Sequence, residues 1–196
     1  MAVPLVGLTG SIGAGKSTAL AACARLGAAT LDADAVVAEL YETDAVRTAL
    51  RLRWGEAVFD GERVDKRAIA RLVFADADKR AWLEGLLWPL TAQRTEAFRR
   101  ELDASSPPPR AGVVETPLLF EAGAAQRFDA TIAIVADDTT RARRLALRDQ
   151  EELAARERLQ LSQAEKAARA TYTVENDGTV EELERRLAAV LANLGR

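Results

Sequence analysis

Gly10, Gly15, Lys16 and Ser17 stand at the spacing G-x-x-x-x-G-K-[ST] inside GLTGSIGAGKST, residues 7–18. That spacing suits the holding of a polyphosphate, because successive backbone N–H groups of such a loop wrap the anion. Glycine is needed where the backbone comes close to the ligand and takes φ angles that side chains resist. Lys16 is placed to reach the β- and γ-phosphates, and the hydroxyl of Ser17 to ligate Mg²⁺. Lysine otherwise occurs only at positions 66, 79 and 166, so one in this slot carries weight. Asp32 and Asp34 offer a pair of carboxylates: either a solvated loop pair, or, beside a polyphosphate, groups that accept a hydroxyl proton or organise Mg²⁺. Glu115 is open to the same two readings. Arginines 141, 143, 144, 148, 156 and 158 form a solvated helical face or close over a nucleotide to stabilise a transferring phosphoryl group. The chain has no histidine, which removes His-based triads and His metal sites and leaves proton transfer to carboxylates, Lys, Tyr or Cys.

These residues need elements to hold them. VPLVGLT (3–9) is a short apolar run suited to a buried parallel strand, and KSTALAACARLG reads as a helix stopped at Gly27. The N-terminus of that helix adds unsatisfied N–H groups and partial positive charge at the anion. AATLDADAV (28–36) reads as a second strand ending at Asp32. VVETPLLF (113–120) reads as a third, broken at Pro117; ATIAIVA (130–136) and TYTVEN (171–176) are a fourth and fifth. From 36 to about 102 the period is helical, with a Gly-marked turn at FDGERVD, and DASSPPPRAG (103–112) is a connector. An Arg-rich helical stretch fills 139–170. The last helix starts with a capping box of Thr179 and Glu182. Strands alternating with helices imply an α/β fold: a five-stranded parallel sheet with helices on both faces, and ligands outside the carboxyl ends of the strands. The glycine loop, the acidic pair and Glu115 then face one crevice.

At 196 residues the chain suits one domain with insertions. A net charge of −3 provides no basic field for nucleic acid, so none is expected as a partner. The single Cys23 reads as a small buried hydrophobe, and Trp54, Trp82 and Trp88 as core more than as binding platforms. No signal-peptide pattern, lipidation motif or apolar run of about 18 residues occurs, so a cytoplasmic protein without membrane attachment is expected.

Taken in order, GLTGSIGAGKST, LDADAV, DGERVDKRAIARLVFAD, PLLFEAG, RRLALRD, RERLQLSQAEKAARA and VEND resemble the dephospho-coenzyme A kinase family over nearly the whole chain. The loop alone says nucleotide, whereas the ordered set is specific. The resemblance implies a three-layer P-loop NTPase fold with a nucleotide-binding core at 1–35, 111–137 and 171–196. It also implies a helical acceptor-substrate insert at 36–110 and an Arg-rich lid at 138–170. The implied reaction is transfer of the γ-phosphoryl of MgATP to the 3′-hydroxyl of the ribose of dephospho-coenzyme A, by a monomer or weak homo-oligomer. Thr9, Gly10, Gly13, Ala14, Gly15, Lys16, Ser17 and Thr18 would hold ATP, with Ser17 on the metal. Asp34 would be the base or orienter of the acceptor hydroxyl with Asp32 beside it, and Arg144 and Arg148 would come from the lid. Gln160, Lys166 and Asn176 fall in stretches near the nucleotide in that family. Two positions depart from the family pattern: Trp88-Pro89 stands where His-Pro is usual, and Glu115-Thr116 where Asp precedes the PLLFE run. A kinase of a nucleoside monophosphate or of another alcohol is the alternative within the class. A GTPase-type switch would need N-K-x-D and D-x-x-G, and neither occurs.

Overall fold

The computed structural model describes residues 2–146 and 157–194. It divides into two compact units, Met1–Asp32 with Ala97–Arg196, and Ala33–Glu96.

The first unit is built on a sheet of five parallel strands in the order β2-β5-β1-β6-β7. These are β1 (Leu5–Gly10), β2 (Ala29–Asp32), β5 (Gly112–Glu115), β6 (Ala130–Val135) and β7 (Tyr172–Glu175). Every residue of β1 is buried, because the central strand is covered on both faces. Its side chains alternate between two cores. Val6 and Leu8 join Val113, Ile132, Ile134 and Val174 against α1 (Lys16–Arg25) and the C-terminal helix Val180–Asn193, here α8, through Ala19, Ala22, Cys23, Leu183 and Leu187. Leu5 faces the other way, onto Val3, Val114, Phe98 and Leu102, the last two from the final turns of α5 (Ala77–Ala104). Gly112 permits that approach, since a Cβ there would collide with Leu102. The expected capping box is present: Thr179 accepts from the Glu182 amide while the Glu182 carboxylate accepts from the Thr179 amide. The third strand stops earlier than its apolar run. After Glu115 the Thr116 amide still donates to Leu8, 2.8 Å away, and Pro117 then has no N–H to continue the ladder. Within this unit α6 (Asp138–Leu145) and α7 (Gln163–Arg169) are the described helices of the Arg-rich stretch.

The second unit holds α2 (Ala33–Leu40), α3 (Asp44–Trp54), α4 (Lys66–Ala75) and the early turns of α5 around a core of Val46, Leu50, Val58, Ile69, Leu83 and Leu87. It also contains a hairpin where only a turn was expected: β3 (Phe59–Asp60) pairs antiparallel with β4 (Arg63–Val64) across Gly61. The two turn residues are Gly61, at φ 57°, and Glu62; the Asp60-Gly61 step is a hairpin signal, but two residues per strand are too few to show a period of two. Trp54 and Trp82 meet edge to face, 4.9 Å between ring centres, and pack on this core as expected; Trp88 is instead 40% exposed. Among the described residues no helix is long and apolar enough to cross a membrane.

Candidate active site: a phosphate-binding loop with its carbonyls held outward

β1 delivers the chain to Gly10, and α1 takes it away from Lys16. At Gly10 a Cβ would sit 2.5 Å from the carbonyl oxygen of Ile134 on β6, so only glycine lets the loop leave the sheet there. Gly15 is the N-cap of α1 at φ 91°, a conformation that favours glycine, and it supplies no side chain to cap the helix. The first turn of α1 therefore keeps amide donors without a side-chain cap, which is the state that suits an anion. Ser17 and Thr18 are exposed on that turn, and Lys16 is half-buried with its ammonium 3.4 Å from the Ser11 carbonyl.

The outer side of the loop is gripped by cations. Arg141 donates to the carbonyl of Ile12 at 3.1 Å, and Arg144 donates to those of Gly13 and Ala14, both at 3.2 Å. Asn176, just beyond β7 and buried, donates from its side chain to Ala14 at 2.8 Å. A trans peptide points its N–H opposite its C=O. Fixing three consecutive carbonyls outward thus turns the amides of Gly13, Ala14 and Gly15 the other way, and of these the Ala14 amide closes a turn onto Ser11. Arg144 also donates to the Asn176 carbonyl at 2.8 Å. Arg141 and Arg144 hold the loop's backbone here, a role their sequence did not announce. Arg148 and Arg156 lie outside the described residues.

Asp32 and Glu115 end adjacent strands as register partners, so their side chains leave the same face of the sheet about 4.8 Å apart at the backbone. Glu115 is buried and Asp32 half-buried. Asp34 is exposed in the first turn of α2 and belongs to the second unit, as does Trp88. Among the described residues no group of three or more His, Cys, Asp or Glu could hold a metal by itself. The Ser17 hydroxyl on the first turn of α1 and the Asp32 and Glu115 carboxylates at the ends of β2 and β5 are all hard oxygen donors, of the kind that fits Mg²⁺ arriving with the oxygens of a nucleotide's phosphates.

Thr9 is fully buried and donates its hydroxyl to the carbonyl of Pro117 at 3.2 Å, so it serves the loop from behind. Lys166 is also fully buried and donates to the same carbonyl at 2.6 Å, with Gln160 3.4 Å away. Burial pushes the Lys166 amine below its usual range, and the neighbouring Glu121 carboxylate opposes that shift. Two further polar residues, Glu121 and Gln163, join this buried network. Glu121 closes the apolar PLLFE run, which is its one sequence signal. Gln163, which bonds both the amide and the carbonyl of Ala136 at 2.9 Å, has none. Cys23 is buried as expected, and burial pushes its thiol up to about 11.

With this geometry, a family model described as dephospho-CoA kinase matches residues 4–182 of the chain. The chain is 40% identical over 193 residues to the dephospho-CoA kinase of Thermus thermophilus, covering 97% of this chain and 91% of that one. It is 36% identical over 195 residues to the dephospho-CoA kinase of Geobacter sulfurreducens, covering 96% and 97%. A crystal structure of a Thermus thermophilus protein superposes with a TM-score of 0.84 at 38% identity over 99% of both chains. The dephospho-CoA kinase of Campylobacter jejuni shares the fold with a TM-score of 0.69 at 21% identity, covering 97% of this chain and 96% of that one.

Proposed function

The chain belongs to the dephospho-CoA kinase family and carries out ATP-dependent phosphorylation of dephospho-CoA to coenzyme A; we propose that the phosphoryl group is placed on the 3′-hydroxyl of the ribose by the residues of this loop and its carboxylates. The observation that carries the assignment of the loop is an α1 N-terminus without a side-chain cap, behind Gly15, Lys16 and Ser17, with the loop's carbonyls turned outward. Phosphoryl transfer leaves little covalent work to the protein, so catalysis is positioning and charge stabilisation. The amides of the loop and α1 hold the β- and γ-phosphates, and Lys16 carries a mobile positive charge to them. Ser17 is the protein ligand for Mg²⁺, with Asp32 and Glu115 as neighbouring oxygen donors. When bound with the nucleotide, that ion neutralises charge on the phosphate oxygens. Asp34 orients the acceptor hydroxyl and takes its proton late. Thr9, buried, supports the loop from below, while Gly10, Gly13, Ala14, Gly15 and Thr18 shape or line it.

The helical segment 36–110 is assigned to the acceptor and 138–170 to the lid, with Arg144 and Arg148 as the lid's cations toward the phosphates. A grip of Arg144 on Gly13 and Ala14 gives it a way to act on transfer through the loop. The chain is assigned to the cytoplasm, where a single buried free cysteine is chemically at ease, as a monomer or weak homo-oligomer. The test is ADP formation from ATP with and without dephospho-CoA, followed by mapping of the phosphorylated hydroxyl. ADP formation strictly dependent on dephospho-CoA, with the new phosphate on the ribose 3′-oxygen, is the expected result. Equal ADP formation without acceptor would remove the kinase reading.

A further inference from the structure

Among the described residues Lys166 is the largest fully buried side chain, and lysine is almost never enclosed unless its charge is paired. Its ammonium donates to the Pro117 carbonyl at 2.6 Å and to Gln160 Oε1 at 3.4 Å, and is ion-paired with Glu121 Oε1 at 3.2 Å. Glu121 Oε1 accepts in addition from the Leu161 amide at 2.8 Å. Pro117 O accepts in addition from the hydroxyl of Thr9, the residue before Gly10. The ammonium thus joins the turn after β5 and Gln160 to α7, and through Pro117 O and Glu121 Oε1 the end of β1 and the Leu161 amide enter the same network. Gln163 ties the same helix to the end of β6 through both hydrogen bonds of Ala136.

An ion pair is a costly way to fill such a space. Two apolar side chains of similar volume would hold it at least as well, because burial of the charges offsets their attraction. What ions with directed hydrogen bonds add is a single geometry. We propose that Lys166 and Glu121 form a positioning pair for phosphoryl transfer, holding the Pro117 turn and residues Gln160 and Leu161 in fixed register with the strand that delivers the phosphate-binding loop. The proposal rests on the kinase reading above and deepens it. Neither side chain is assigned contact with substrate. They act through Thr9 and the backbone of the turn, and a displacement of about 1 Å at a transfer site costs about 10²-fold in rate.

The experiment uses the full chain in three forms, Lys166→Met, Glu121→Gln and the double variant, compared with the parent. Steady-state kinetics, thermal unfolding, affinity for a fluorescent ATP analogue and amide hydrogen exchange at residues 157–162 are measured on each. Lys166→Met strands a buried carboxylate and loses thermal stability; the double variant removes both charges and recovers much of it. If the pair positions the site, kcat in the double variant stays about ten- to a hundred-fold below the parent although stability has returned. KM for ATP then moves by no more than a few-fold, and the Leu161 amide exchanges faster in all three variants. Should the double variant turn over like the parent, or should kcat follow thermal stability across the three, the pair is structural only and the proposal falls. Where the parent itself fails to phosphorylate dephospho-CoA, the kinase reading fails separately. The Leu161 exchange then decides the pair: faster exchange in all three variants, with analogue affinity within a few-fold of the parent's, supports it, and parent-like exchange overturns it.

Discussion

Lys16 is half-buried at the first turn of α1, with its ammonium 3.4 Å from the Ser11 carbonyl, and its place in the glycine loop assigns its charge to the ligand more than to the core. Lys16→Met keeps the length of the apolar stem and removes the charge. We expect transfer to be abolished while the thermal midpoint stays near the parent's, and a variant with full activity would take the loop out of the mechanism. At Asp34 the expected chemistry is late proton acceptance, which typically contributes about 10² to 10⁴-fold, roughly 3–5 kcal/mol of barrier. Asp34→Asn should lose activity on that scale, keep ATP affinity within a few-fold and suffer more than Asp32→Asn. The opposite order would place the base at Asp32, which the sheet sets beside Glu115. Near-parent rates in both would reduce the acidic pair to a solvated one.

The element that presents the loop's outer clamp is α6, and its first turn depends on one carboxylate. Asp137 caps the helix, accepting from the Thr140 amide at 2.7 Å and the Thr140 hydroxyl at 2.9 Å, and its own amide donates to Asp177 at 2.7 Å. The Thr140 amide, foremost, holds the Asp137 carboxyl below the usual carboxylate range. A group depressed on folding stabilises the native state in its ionised form. That contribution is present above the unfolded value of about 3.9 and is lost as pH falls through the lower folded value. Asp137→Asn retains one acceptor oxygen but does not titrate, so unfolding followed from about pH 5 downward should show a shallower acid limb than the parent. An unchanged limb would assign the acid sensitivity to other carboxylates.

At the scale of the molecule, each unit has a core of its own. Leu50 is fully enclosed among Val46, Val58, Ile69 and Leu83 in the second unit, and no residue of the phosphate-binding loop belongs to that cluster. Leu50→Ala should cost about 2–5 kcal/mol of stability through lost burial and the cavity left behind. We expect transfer to dephospho-CoA to fall as the second unit loosens while binding of a fluorescent ATP analogue holds within a few-fold. Parallel loss of nucleotide binding would show that the loop depends on that core.

The phosphate-binding loop was legible in the sequence because its conformation is local: Gly10, Gly15 and Lys16 act within one turn of chain, between an apolar strand and a helix. The five strands and the Thr179 capping box were legible for the same reason, since a buried run and a cap are properties of neighbours along the chain. The hairpin at 59–64 was half legible, its turn visible at Gly61 and its two-residue strands not. What only the tertiary structure decided is which distant groups meet. Nothing near Lys166 in sequence marks it as enclosed, because its carbonyl partner Pro117 is 49 residues away and its carboxylate partner Glu121 lies in the same distant turn. Arg144 looks like any solvated arginine until β6 and β7 bring it onto carbonyls 130 and 131 residues earlier in the chain. Side-chain type and spacing determine what chemistry a local segment can do; the sheet order, which no local pattern encodes, determines which of those segments share a site.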